Sequence, residues 1–160
     1  MGAESEPVAL FVSTFTNKID RKGRVSVPAS FRQILAGKGS ETVVLYPHPK
    51  HPAIEGGGMD WLEDYAARVA QLPEYDEVRD ALQALFGQVS QIEPDGEGRI
   101  ILPEHLIDRA GLCENAVFVG AGAKFEIWDP GRHAEHLSQQ RTRMRDLTVP
   151  PLPRLPGLPS

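Results

Sequence analysis

The run Asp20-Arg21-Lys22-Gly23-Arg24-Val25-Ser26-Val27-Pro28 returns at an offset of 75 residues as Asp95-Gly96-Glu97-Gly98-Arg99-Ile100-Ile101-Leu102-Pro103, with Asp, Gly, Arg and Pro kept in place. A repeat at one fixed offset points to a duplicated unit. The kept residues are those a turn needs rather than those a core needs. Gly supplies a positive φ, Asp and Arg bracket it with opposite charge, and Pro follows a short apolar strand. A chain of this kind must build the same turn twice and fit both copies into its fold.

Each copy reads as strand, turn, strand, helix, strand. In the first, Phe11 to Ile19 is rich in Thr, Phe and Val, and Val25 and Val27 share one face with Arg24 and Ser26 on the other. Pro28 suits a helix start, Phe31, Ile34 and Leu35 form its apolar stripe, and Gly37 ends it. The second copy follows with Ile100 to Leu102, Pro103, then Leu106, Ile107 and Ala110 inward and Gly111 as the C-terminal cap before Leu112. A β-branched run comes next in both, Thr42 to Tyr46 and Ala116 to Val119. The second copy continues into an alternating strand, Lys124 to Trp128. The first has Pro52-Ala53-Ile54-Glu55-Gly56-Gly57-Gly58 there and is expected to lack a matching apolar strand. So few short strands cannot bury two faces alone, so the copies are expected to complete one another in a closed or intertwined barrel.

Between the copies, apolar residues at helical spacing predict two amphipathic helices, Met59 to Leu72 and Glu74 to Phe86, joined at Pro73. A last helix, Arg132 to Leu147, carries four arginines and little apolar surface beyond Leu137 and Met144. The tail from Pro150 onward is too rich in Pro for a helix and is expected to be extended or disordered.

Bulk properties narrow the classes. The 160 residues suffice for one ordinary domain or two small intertwined ones, and 41% hydrophobic with 24% charged residues fits a soluble globular chain. The single cysteine, Cys113, excludes an intrachain disulfide framework and is expected to be a buried or idle thiol. The acidic start Met1 to Pro7 lacks a signal-peptide pattern, Glu6 stands where a myristoylation signal at Gly2 wants Ser or Thr, and no run of apolar residues is long enough to span a membrane. A cytoplasmic location is expected. His48, His51 and Glu55, and His133 with His136, lack a completing ligand set and are expected to be solvent-facing, with no metal and no cofactor. Gly56 to Gly58 precedes no Lys-Ser or Lys-Thr pair, so it is no P-loop. No convergent catalytic set is visible, and neither an enzyme nor a small-molecule substrate is expected.

The net charge of −5 argues mildly against a nucleic-acid partner, but its distribution says more. Residues 11–38 hold Lys18, Arg21, Lys22, Arg24, Arg32 and Lys38 against Asp20 alone, a net of +5. Residues 91–112 hold Arg99 and Arg109 against five acidic residues, a net of −3. A polyanion should choose the first copy.

The Asp-x-Lys-Gly-Arg-x-x-x-Pro motif, its second copy, Arg109-Ala110-Gly111-Leu112, and the segment from Val119-Gly120 to Phe125-Glu126-Ile127-Trp128 together resemble the MraZ family of bacterial transcriptional regulators over roughly residues 11–137. The resemblance implies an α+β fold of tandem AbrB-like swapped-hairpin β-barrel units with intervening and C-terminal helices. It divides the chain into a first AbrB-like unit at 8–52, a helical insert at 53–89, a second unit at 90–129, a C-terminal helix at 130–148 and a Pro-rich tail at 149–160. It also implies a ring-shaped homo-oligomer that binds double-stranded DNA at promoter repeats of the division and cell-wall gene cluster, in the cytoplasm and associated with the nucleoid. The family's Asp-x-x-x-Arg signature lands on Asp20 to Arg24 and on Asp95 to Arg99.

On this reading Lys18, Asp20, Arg21, Lys22, Gly23 and Arg24 form the DNA-binding set, and Asp95 and Arg99 a weaker second one. Arg24, with a planar fork that matches guanine O6 and N7, is the base reader; Lys22 is a phosphate contact. Asp20 orients Arg24 or accepts turn amides, since a carboxylate repels phosphate. The competing reading is an oligomeric scaffold whose hairpins pair Arg and Asp locally and which does not read DNA sequence.

Overall fold

The computed structural model describes residues 10–154 and residue 156; the readings of Met1 to Pro7 and of the last tail residues fall outside it. Its elements are β1 (Thr14–Lys18), β2 (Arg24–Ser26), α1 (Ala29–Gly37), β3 (Val43–Pro47), β4 (Ile54–Gly57), α2 (Met59–Ala70), α3 (Glu77–Gln83), β5 (Ser90–Ile92), β6 (Arg99–Ile101), α4 (Glu104–Ala110), β7 (Asn115–Gly120), β8 (Phe125–Trp128) and α5 (Pro130–Asp146). This is a mixed α+β fold. None of its helices is long and apolar enough to cross a membrane.

The copies interleave. A six-stranded sheet runs β1-β7-β8-β4-β3-β5, and β2 pairs with β6 in a separate two-stranded ribbon. Exchanging each strand for its counterpart in the other copy turns the six-strand order into its own reverse. Pairing explains why: β1 joins β7 of the second copy, β5 joins β3 of the first, and β4 meets β8 at the centre. Neither copy could satisfy its own strand edges without the other.

The core is shared in the same way. Phe11 and Phe31 of the first copy pack against Phe125 of the second, with ring centroids 5.2–5.3 Å apart in each pairing. Phe31 and Leu106, equivalent across the repeat, are both fully buried, as are Leu35 and Ala110. Gly111 takes the left-handed conformation at the end of α4 (φ 65°), and Leu112 N–H closes back on the Ile107 carbonyl.

Several sequence expectations need correction. The Gly-rich segment of the first copy does form its final strand: β4 is buried throughout and pairs with both β3 and β8. Its glycines are there because neighbours fill the space. A Cβ on Gly56 would lie 2.6 Å from the Phe125 ring, and one on Gly57 3.3 Å from Trp61. The second insert helix begins at Glu77 rather than Glu74, because Asp76 caps it by accepting from the Val78 and Arg79 amides. The last helix begins at Pro130, capped by Asp129, and ends at Asp146. Cys113 is exposed, not buried, since it follows the α4 cap on the outside of the fold.

Candidate nucleic-acid interface

The two turns are built to one plan. In the first, Asp20 Oδ1 accepts from the Lys22 and Arg24 amides (2.9 and 2.8 Å), and Oδ2 accepts from Arg24 Nε at 2.7 Å. In the second, Asp95 Oδ1 accepts from the Glu97 and Arg99 amides (2.8 and 3.0 Å), and Oδ2 from Arg99 Nε at 3.0 Å. Gly23 and Gly98 supply the left-handed residue, at φ 80° and 77°. The Arg24 amide lowers the Asp20 pKa, and the Arg99 amide lowers that of Asp95; in both, the arginine side chain adds to the effect.

The β2–β6 ribbon joins these turns. Arg24 lies opposite Ile101, Val25 opposite Ile100 and Ser26 opposite Arg99. Val25 and Ile100 are buried, so strand alternation puts Arg24, Ser26, Arg99 and Ile101 on the outer face. Arg24 and Arg99 are therefore diagonal neighbours, about 7–8 Å apart along the ribbon. Their Asp partners hold them from opposite ends, because antiparallel pairing puts the two turns at opposite ends of the ribbon. Asn17 Nδ2 bonds the Ser26 carbonyl at 2.7 Å and ties β1 to the same ribbon.

Arg21 and Lys22 are exposed at the first tip, and Lys18 is exposed at the end of β1. Arg24 is about one-third exposed at its side chain. The second tip differs: Glu97 lies 3.4 Å from Arg99 Nη2 and engages a nitrogen that its counterpart in Arg24 does not share with a second carboxylate. Here the sequence reading missed a contributor. Arg32 of α1 bonds the Val27 carbonyl (3.1 Å), and its guanidinium lies over Gly98, where a Cβ would meet it at 2.6 Å. Its repeat equivalent, Ile107, lies over Gly23, where a Cβ would stand 3.6 Å from Ile107 Cδ1. The first copy thus lends a cation to the acidic turn of the second. The offset of 75 held the clue, since it maps Arg32 onto Ile107.

The histidines are not the solvent-facing residues the sequence implied. His48 is mostly buried, with Nε2 3.2 Å from Glu55 Oε1 and 3.5 Å from Glu126 Oε2. Its Nδ1 accepts the Lys50 and His51 amides, both at 3.0 Å, so the ring proton sits on Nε2 and points at the carboxylates. Three donor atoms of a metal site are within reach of one another. Nε2, however, spends its proton on hydrogen bonds, and Lys124 Nζ already meets Glu55 Oε1 at 2.7 Å. Glu55 and Glu126 are directly opposed on β4 and β8, and this network offsets their repulsion. The His48 bond, aided by Trp128, holds Glu126 down to about 2, while burial and then Glu55 push Tyr46 well above its ordinary value. His51 lies between His48 and His136, 4.6 Å from each ring, and desolvation lowers its pKa first, their charges next. His136 stacks on Trp128 at 4.5 Å, fastening α5 to β8. Glu126 and Lys124 escaped the sequence reading because only strand register brings them to Glu55.

The family model described as "MraZ protein, putative antitoxin-like" matches residues 85–147. The Transcriptional regulator MraZ of Beijerinckia indica subsp. indica is 44% identical over 138 residues, covering 86% of this chain and 84% of its own. Its namesake in Azorhizobium caulinodans is 40% identical over 138 residues, covering 86% and 88%. That of Rickettsia akari is 40% identical over 129 residues, covering 80% and 87%. Each of these relatives is at least 40% identical to this chain over four-fifths of it or more, and on their strength the chain belongs to the MraZ family.

Proposed function

We propose that this chain is a sequence-specific, double-stranded-DNA-binding transcriptional regulator that engages DNA through the outer face of the β2–β6 ribbon and the Arg21–Lys22 tip. The observation that carries the reading is the placement of Arg24 and Arg99 side by side on one exposed face beside a cationic tip. A two-stranded ribbon is narrow enough for the major groove, and each arginine is oriented by a carboxylate bonded to Nε, which leaves the Nη groups of Arg24 for recognition while Glu97 lies against Nη2 of Arg99. In this reading Lys18, Arg21 and Lys22 neutralise phosphates, Arg24 reads a base, and Asp20 and Gly23 shape the turn. Asp95 and Arg99 take the same parts more weakly.

The relatives are named as transcriptional regulators rather than enzymes, in keeping with a role that needs no catalytic set or cofactor. The interleaved pairing supports tandem AbrB-like units of the swapped-hairpin type at 8–52 and 90–129, with 53–89, 130–148 and 149–160 as insert, helix and tail. We read the assembly as a homo-oligomeric ring whose several ribbons raise the effective concentration of each and favour regularly spaced promoter repeats. The target we assign is the promoter of the division and cell-wall gene cluster, with the protein cytoplasmic and nucleoid-associated.

The test is binding of the purified protein to the DNA upstream of its own gene, by footprint and across a salt series. Protection of repeated boxes, with affinity falling steeply as salt rises, is expected. One observation favours the scaffold alternative: each arginine is already paired to a carboxylate in its own turn. Absent or salt-insensitive binding would establish that alternative.

A further inference from the structure

From Pro150 onward the chain repeats every third residue: Pro150, Pro153, Pro156 and Pro159 in one series, Leu152, Leu155 and Leu158 in another. Three residues is the period of the polyproline II helix, which Pro favours by fixing φ. In that conformation the segment carries a Pro edge, a Leu edge and a third edge with Arg154. The described part, Thr148 to Arg154, has neither helix nor strand and is exposed throughout.

A surface of matching chemistry lies between the helical insert and the six-stranded sheet. α2 buries only Val69 and α3 buries nothing, so their apolar faces are incompletely covered. The groove they leave is about 600 Å³ and is lined by Tyr46, Trp61, Tyr65, Leu72, Leu82 and Leu85, among others. Trp61 is fixed there by donating Nε1–H to Tyr46 Oη at 2.8 Å. Aromatic grooves bind polyproline II segments because the ligand is already extended and loses little entropy. The charged lining of the groove, Lys50, Arg68 and Lys124 with Glu55, is net positive, and the segment from Pro150 carries Arg154 alone, so apolar and aromatic contact rather than charge would hold it.

We propose that the Pro-x-Leu tail of one copy docks as a polyproline II helix into the aromatic groove between α2–α3 and the six-stranded sheet of a second copy. A second copy is the occupant because α5, about 25 Å long over its 17 residues, is packed on the sheet through its first half, where His133 and His136 lie against Trp128. Every residue from Arg141 to Arg154 is exposed, so the helix presents its tail outward. This goes beyond DNA recognition and does not depend on it.

The test uses full-length chains in a Cys113→Ser background, because Cys113 is exposed. A chain carrying Ser160→Cys is co-expressed with a differently sized, tagged chain carrying Gln71→Cys beside the groove, or Glu41→Cys as a control. Oxidation is expected to link tail to Gln71→Cys about 10-fold faster than to Glu41→Cys, as a docked segment raises local concentration. Replacing Leu152, Leu155 and Leu158 by Ser should abolish that excess without changing circular dichroism. Equal rates at both sites, or an excess that survives the three serines, overturn the proposal. So does a doubly substituted chain that closes only on itself.

Discussion

The turn at Asp20–Arg24 and the turn at Asp95–Arg99 share a carboxylate that gathers two amides and one guanidinium, and a glycine near φ 80°. They differ at two tip residues, Arg21-Lys22 against Gly96-Glu97, and in what lies over the glycine, Ile107 against Arg32. Geometry has been kept while charge has been varied. The ribbon therefore has two separable requirements: a turn that aims an arginine, and a tip that attracts or repels a polyanion. The second copy meets the first requirement, and it meets the second only through the borrowed Arg32.

The largest effect should come from exchanging the tips. Arg21→Gly with Lys22→Glu gives the first turn the second turn's charge, and the slope of log affinity against log salt should shrink by about 2 as two phosphate contacts disappear. The reverse exchange, Gly96→Arg with Glu97→Lys, should steepen it. Binding titrations at several salt concentrations measure both, and an unchanged slope in the first variant would break the assignment of charge to the tip.

Next comes the aimed arginine. Arg24→Ala should lower affinity for the specific site by about 10- to 100-fold, the 1–3 kcal/mol of a bidentate base contact, with a smaller loss on random DNA. Arg99→Ala should cost less on the same site, because Glu97 already shares its Nη2. Competition assays with specific and random duplexes rank the two, and a larger loss for Arg99→Ala would reverse the order of the copies.

Smaller again are the glycines. Gly23→Ala and Gly98→Ala each force a side chain into the left-handed region, at about 1–2 kcal/mol. Gly98→Ala should be the costlier, since its Cβ also displaces the Arg32 guanidinium, while the Cβ at position 23 finds ordinary contacts at 3.5–3.6 Å. Chemical denaturation gives the difference directly.

What could be read from the chain was local and repeated. Turn residues, helix stripes and the αL cap at Gly111 announce themselves in a few neighbouring positions, and the offset of 75 showed that two such units exist. That the copies must complete one another also followed from too few strands. The partner of each strand did not. That β1 seeks β7 and β5 seeks β3 is a property of register, as is the opposition of Glu55 and Glu126. β4 was missed because its glycines report the bulk of Phe125 and Trp61, which sit far away in sequence. His48 looked like a loop residue because its two acceptor and donor roles are fixed by backbone amides and by carboxylates from two other strands.

The finest distinction between the turns is electrostatic. Asp20 and Asp95 both have folded-state pKa values below the ordinary one, so each contributes stability above that value and loses it as pH falls through its lowered pKa. If the aspartate were held by tip charge, Lys22 would favour its ionised form and Glu97 would oppose it, and the two turns would lose stability at different pH. The amide of the following arginine is instead the leading cause in both, and that amide is set by the shared backbone. Asp20→Asn and Asp95→Asn should therefore flatten the acid limb of Tm against pH by equal small amounts, below the ordinary carboxylate value. Glu126, held to about 2 by His48, supplies a separate acid limb that both variants retain. An acid limb flattened by Asp20→Asn alone would mean that the cationic tip, not the turn, holds the first aspartate, and the separation of geometry from charge would fail at its source.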